Sequence, residues 1–166
     1  MNHLEIRRVK EGDESVLAYI QTESWKEAFK EILSKEDLEQ WTNRPKSEAM
    51  YKELLKNHIG HGVILQIDGK PHCIAFWDNT REPDMQTYAE LICIHSLCEN
   101  WGHGYGSVVI EHILSEMKEA GFHNVMLWVF EQNIRARRFY EKHGFVASGK
   151  QKPFLNTSEV MYCKSL

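Results

Sequence analysis

The stretch from Glu90 through Ser107, ELICIHSLCENWGHGYGS, constrains the chain more than any other part of it. It reads as a strand over Glu90–Ser96, a short polar loop, and then glycines at 102, 104 and 106. Beyond them Val109, Ile113 and Met117 recur at i, i+4 and i+8, the buried stripe of an amphipathic helix. Glycines at such a junction tolerate positive φ and let the backbone approach a ligand closely. The first turn of the helix carries unpaired N–H groups and partial positive charge, so phosphate or pyrophosphate is its natural guest. A glycine-rich turn can also do no more than start a helix, and a second motif is needed to decide.

The remaining chain alternates between strand and helix without linker or repeat. Residues 3–9 alternate as a half-buried strand, and Asp13 is placed to cap a helix from Glu14 to about Lys30 that buries Val16, Leu17, Ile20 and Ala28. Ser34 opens a shorter helix through Trp41, and a third runs from Pro45 to about Lys56. Gly62–Ile67 and His72–Trp77 are β-rich runs joined by Asp68-Gly69-Lys70-Pro71, a hairpin signal. Arg81–Met85 reads as loop, Val125–Phe130 as a strongly apolar strand, and Asn133–His143 as a helix ended by Gly144. Strands at Phe145–Gly149 and Glu159–Lys164, separated by a loop around Pro153, close the chain. This order predicts an α/β (α+β layered) fold: one domain over residues 1–166, with a mixed central sheet of about six or seven strands flanked by helices.

Composition narrows the function classes. A chain of 166 residues, 42% hydrophobic, can bury a real core. Its formal net charge of −4 lacks the basic footprint of a nucleic-acid binder, so no nucleic-acid partner is expected. No apolar run approaches the roughly 18 residues of a membrane span, and Met1–Lys10 has no apolar h-region. Cys73, Cys93, Cys98 and Cys163 form no CxxC pair and read as reduced, mostly buried thiols of a cytoplasmic protein. His58 and His61 stand three apart but gain no third ligand, so no metal site is expected.

The second motif is FEQNIRARRFYEKHGF at 130–145. Asn133, Ala136 and Tyr140 share one helical face, with Phe139 beside them, and a small Ala between an amide and a phenol leaves room for a thin extended ligand. Alone, these residues would equally serve as an N-cap, a helix former and a core aromatic. Together, WGHGYG at Trp101–Gly106 and N-x-x-A-x-x-F-Y-x-x-x-G-F at Asn133–Phe145 resemble the GNAT superfamily of acyl-CoA-dependent N-acyltransferases. The element order along essentially the whole chain fits as well. A Rossmann dinucleotide site does not, because the glycines follow GxGxG rather than GxGxxG and lie far from the first strand–helix turn.

The resemblance implies two central parallel strands splayed to hold CoA, and acetyl-CoA as acyl donor. Backbone N–H groups of Trp101, Gly102, His103, Gly104, Tyr105, Gly106 and Ser107 would hold the pyrophosphate. Main chain at Ile94, His95 and Ser96 would hold the pantetheine, with Asn133 hydrogen-bonding it and Ala136 and Phe139 lining its channel. Tyr140 would face the thioester sulfur and protonate the leaving thiolate. Trp101 departs from the family's usual Gln or Arg, so CoA affinity suffers unless His103, Arg137, Arg138 or Lys142 substitutes. His95 and Ser96 likewise replace the commoner Tyr-Val pair.

Acyl transfer to an amine that arrives protonated needs a base. Glu90, 11 residues before Trp101 and at the spacing of the glutamate base in the histone-acetyltransferase branch, is that candidate, with His95 in reserve. A backbone N–H near Ser96 would meet the oxyanion, and no covalent enzyme intermediate is required. Trp25, Phe29, Trp41 and Tyr51, with Glu23, Glu27, Glu31 and Glu36 nearby, would suit a small cationic acceptor. A small primary amine is therefore the expected substrate. A protein or peptide amine, and a non-catalytic CoA-binding regulatory module, stay open as alternatives, as does a homodimer.

Overall fold

In the computed structural model, which describes residues 1–166, the strands and helices interleave as their hydrophobic periods predict. The elements are β1 (Leu4–Arg8), α1 (Glu14–Ala28), α2 (Lys35–Trp41), α3 (Arg44–Lys56), β2 (His61–Ile67), β3 (Lys70–Asn79), β4 (Ala89–Ser96), α4 (Tyr105–Glu119), β5 (Asn124–Phe130), α5 (Ile134–Lys142), β6 (Val146–Phe154) and β7 (Thr157–Ser165). The strands make one seven-stranded mixed sheet in the order β1-β2-β3-β4-β5-β7-β6. Every neighbouring pair is antiparallel except β4 and β5, which run parallel through the α4 crossover.

Period-two alternation divides the core between the two faces of the sheet. Val63, Leu65, Cys73, Ala75 and Trp77 pack on Val109, Ile110, Ile113 and Met117 of α4. Ile64, Ile74 and Phe76 face the other way, onto Leu17, Ala18 and Ile20 of α1 and Tyr51 and Leu55 of α3. The stripe expected on α4 is thus buried as its spacing requires, and Gly62 is kept as glycine by crowding. A Cβ there would stand 2.5 Å from the Phe76 ring.

What positions a site is the behaviour of β4. It pairs with β5 only at Ala89↔Val125 and Glu90↔Met126, after which the two parallel strands diverge. The cause lies on the other side of β4. The register with β3 jumps from Phe76↔Cys93 to Trp77↔Leu91, which leaves Ile92 as an extra residue. Such a bulge bends its strand and increases the local twist, and here it turns β4 away from β5. The two central strands are therefore splayed, as the resemblance implies.

Three local readings need correction. Asp13 does not cap α1 through its side chain. Its buried carboxylate instead accepts both prongs of the Arg7 guanidinium, at 2.8 and 2.9 Å, and the N–H of Lys10 at 2.9 Å. Burial works against this charge, but the Arg7 and Lys10 hydrogen bonds outweigh it and hold the carboxyl below its usual range. Pro153 does not break the last strands apart, because β6 is an edge strand, where a missing N–H is tolerated. The hairpin turns tightly through Leu155 and Asn156, with Leu155 at φ 52°. Finally, α1 stops at Ala28, short of Lys30, and α3 begins at Arg44 with Pro45 in its first turn, where no N–H is needed.

The Asp13 geometry yields a direct test. Asn is as good an N-cap as Asp, so Asp13→Asn would be nearly silent if the residue merely capped α1. A carboxylate bound by a guanidinium fork predicts instead a loss of about 1.5–3 kcal/mol. Urea unfolding at neutral pH measures the difference.

Candidate active site

Each of the diverging strands β4 and β5 feeds a helix at its carboxyl end, which is where ligands bind in open α/β sheets. Gly104 is the N-cap of α4, with φ 84°, and Asn133 is the N-cap of α5, its side-chain oxygen accepting from Ala136 N–H at 3.2 Å. A cleft of about 890 Å³ runs from these two helix starts along the splayed strands to the β6–β7 hairpin. It brings together Glu90, Tyr140 and every residue expected to hold the donor's pyrophosphate and pantetheine except His103. His103 is exposed, with its ring stacked on Tyr105 and Nδ1 3.1 Å from the Trp101 carbonyl.

One end of the cleft is built of donors. The amides from Gly102 through Gly106 donate to no backbone carbonyl, and the helix closes only with Ser107 and Val108 N–H on the Gly104 carbonyl. A Cβ at Gly102 or Gly104 would meet nothing within 4 Å, so positive φ, not crowding, reserves these positions for glycine. Lys142 lines this end, and the Ser107 hydroxyl lies 2.9 Å from His143 Nε2. Trp101 folds back on β4, its indole N–H donating to the Ser96 carbonyl at 3.0 Å. Arg135 of α5, which nothing in the sequence pattern distinguished, lies on the Trp101 ring with its guanidinium carbon 3.6 Å from the centroid. Of the cations that could compensate for Trp101, Lys142 lines the cleft, Arg137 is engaged elsewhere, on the Tyr162 hydroxyl and the Glu131 carbonyl, and Arg138 is exposed and off the cleft.

The middle of the cleft is apolar. Tyr140 is buried between Phe139 and Phe145, and its hydroxyl has no protein partner. Burial pushes its pKa well above the ordinary tyrosine value, so the phenol stays protonated. Asn133 uses its oxygen as a cap and leaves its amide N–H₂ free. Burial drives the pKa of His95, edge-on to Trp25, down to about 4. It is therefore a neutral and weak base at physiological pH. Burial also pushes the Cys73 and Cys93 thiols up to about 12, which removes them as nucleophiles.

The far end combines aromatic rings and carboxylates. Trp25, Phe29, Trp41, Phe130 and Phe154 form a continuous wall with ring centroids 4.8–6.4 Å apart. Glu90 is almost fully buried and already engaged. It accepts from Arg81 N–H at 3.0 Å, from Nε at 3.3 Å and from Nη2 at 2.5 Å. Glu159 lines the same end, makes no side-chain hydrogen bond, and has its pKa raised by burial against the pull of Lys152 and Arg81. Sequence reasoning missed Arg81, Glu159, Trp128, Phe130 and Phe154 as site residues; their only local signals are a loop arginine and strand-end side chains.

Two expectations about this end are corrected. Tyr51 does not line the cleft but is core, packed on Phe76 and hydrogen-bonded to Gln21. Glu23 and Glu27 form ion pairs with Arg44, Lys26 and Lys30 along a helix face, and neither they nor Glu31 and Glu36 reach the cleft. His61, for its part, is stacked on Trp77 at 4.1 Å.

The sequence matches the model of the acetyltransferase (GNAT) family over residues 17–145. No curated protein matches it significantly. Among solved structures the chain is similar to PaiA N-acetyltransferase of Thermoplasma acidophilum in complex with coenzyme A, at 21% identity, 99% of each chain and a TM-score of 0.81. It is similar to a GCN5-related N-acetyltransferase of Rhodopseudomonas palustris at 20% identity, covering 100% of this chain and 98% of that one, with a TM-score of 0.78. YncA of Salmonella typhimurium, solved with its cofactor acetyl-CoA, shares 15% identity over 98% of this chain and 94% of its own, at a TM-score of 0.74. At these identities the likeness is one of fold.

His95 gives this region a pH signature. Between pH 6.5 and about 4 the unfolded chain binds a proton at His95 that the folded chain refuses. Stability therefore falls as pH drops through that window and is unaffected by His95 above it. His72 and His143, also lowered by burial, act in the same direction. The His95 contribution is on the order of 2–3 kcal/mol across the window. Chemical denaturation at several pH values should show His95→Gln losing less stability on acidification than the parent by about that amount.

Proposed function

Given that the chain belongs to the acetyltransferase (GNAT) family, we propose that it moves the acetyl group of acetyl-CoA to the primary amine of a small molecule by direct attack. The observation that carries this reading is the order of chemistry along one cleft: free backbone donors, an unpaired strand edge, a buried protonated phenol, then aromatic rings with a carboxylate. Acetyl-CoA supplies an activated thioester; the chain's own groups bind it and handle the protons. Amides of Gly102 to Gly106 take the pyrophosphate at the start of α4. The open edges of β4 and β5 take the pantetheine, with the free Asn133 amide as an added donor. These groups fit a long, thin ligand with anionic and amide portions.

Tyr140 gives its proton to the departing thiolate as the C–S bond breaks, a role its protonated state permits. At the far end the aromatic wall of Trp25, Phe29 and Trp41 receives the apolar part of the acceptor and favours its cation. Glu90, the base expected from the sequence, stands at this end, but its carboxylate has most of its lone pairs committed to Arg81. Glu159 is the carboxylate with free oxygens, and its raised pKa brings it toward the range useful to a base. We assign proton removal to Glu159, directly or through one water, with Glu90 holding Arg81 in place.

The experiment is a panel of amine acceptors incubated with acetyl-CoA while free thiol is followed. Amine-dependent thiol release is expected; its absence with every amine would refute the reading. With an active acceptor, Tyr140→Phe should lower kcat at least about tenfold while KM for acetyl-CoA stays within a few-fold. Glu159→Gln should lower kcat/KM by about a hundredfold or more at neutral pH. A larger loss with Glu90→Gln than with Glu159→Gln would return the base to Glu90.

A further inference from the structure

The donor end of the cleft carries a cation that the phosphate motif itself lacks. Four other arginines are committed, Arg7 to Asp13, Arg44 to Glu23, Arg81 to Glu90, and Arg137 to Tyr162 and the Glu131 carbonyl, while Arg8 and Arg138 are exposed and do not line the cleft. Arg135 lines the cleft yet has no carboxylate or carbonyl partner. Its guanidinium lies instead on the face of Trp101, with the carbon 3.6 Å from the ring centroid. A planar guanidinium laid on an indole keeps its N–H edge free for bidentate binding of a phosphate.

Trp101 is itself fixed. Its Nε1 donates to the Ser96 carbonyl at the end of β4, and the ring belongs to the loop whose next residues are the unpaired amides of Gly102 to Gly106. The indole thus joins three things: the end of the splayed strand, the amide cradle, and a cation delivered from the first turn of α5. A tryptophan at 101 cannot bind phosphate through a side-chain charge, but it can hold a guanidinium beside the place where phosphate binds.

We propose that Trp101 and Arg135 act as one composite anion-binding group, in which Trp101 positions Arg135 to contact the pyrophosphate of the acyl donor. This rests on the reading of acetyl-CoA as donor. The pairing explains how a cation reaches the cradle although position 101 supplies none. It also assigns the role to Arg135 rather than to His103, which does not line the cleft, or to Arg137, which is engaged.

Calorimetry with the full chain and three probes tests it: CoA, 3′-dephospho-CoA and pantetheine. Failure of the parent protein to bind CoA would remove the donor reading, and this inference with it. If the parent binds, Arg135→Gln should weaken CoA about tenfold to a hundredfold and flatten the salt dependence, while pantetheine affinity stays unchanged. The same loss with 3′-dephospho-CoA places the contact at the pyrophosphate, as proposed. A loss confined to CoA would put Arg135 at the 3′-phosphate and overturn that assignment. Trp101→Leu should weaken CoA as well, and the double variant Trp101→Leu/Arg135→Gln should be little worse than Arg135→Gln alone. Additive losses would mean that Trp101 does not act through Arg135. Unchanged CoA affinity in Arg135→Gln, with its unfolding midpoint also unchanged, would overturn the proposal outright.

Discussion

Everything at the site depends on two parallel strands that stop pairing. After Ala89↔Val125 and Glu90↔Met126, the facing edges of β4 and β5 run on without each other. Buried backbone N–H and C=O groups are nearly always paired, since leaving one unmet costs about as much as a lost hydrogen bond. A sheet can tolerate such a gap at its centre only where the edges reach solvent or a ligand. Consistent with this, β4 is buried at Ala89, Glu90 and Leu91 and partly exposed from Ile92 to Ser96. The extra residue at Ile92 opposite β3 is the local distortion that opens the gap. The antiparallel strands on either side, with a helix layer on each face, keep the divergence from spreading.

Charge is distributed along the gap with a gradient. The free amides at the start of α4, Lys142 and Arg135 give one end of the cleft positive charge, reinforced by the helix dipole. At the other end Glu90 and Glu159 flank Arg81, and aromatic rings replace charged walls. Between them burial keeps the titratable groups neutral: His95 by lowering its pKa, Tyr140 and Cys93 by raising theirs. An uncharged middle favours a reaction whose proton donor must remain protonated and whose base lies at one end.

Local pattern carried most of the fold because it depends on local periods. The alternation in β2 and β3, the stripe Val109, Ile113, Met117 and the glycines that begin and end helices all follow from spacing. Both motif segments reach the cleft for the same reason: each is a strand end followed directly by a helix start. What escaped is long-range. Asp13 finds Arg7 in β1 instead of its own helix, Glu90 finds Arg81 in a stretch that reads as loop, and Glu159 reaches the cleft only because β7 pairs with β5. Tyr51 fits an acceptor wall by composition, but α3 packs on the face of the sheet where Phe76 lies, so the residue becomes core. Pro153 looked like a breaker because nothing local says that β6 is an edge.

The central claim is that the open edge of β4 and the free amides at the start of α4 together bind the acyl donor. Backbone amide hydrogen exchange, measured residue by residue with and without saturating CoA, tests it most directly. Increased protection is predicted in two separate stretches, Ile92–Ser96 and Gly102–Gly106, with little change in β2 or in the centre of α4. Binding of CoA that leaves both stretches exchanging as before would contradict the account, because the ligand would then lie elsewhere on the fold.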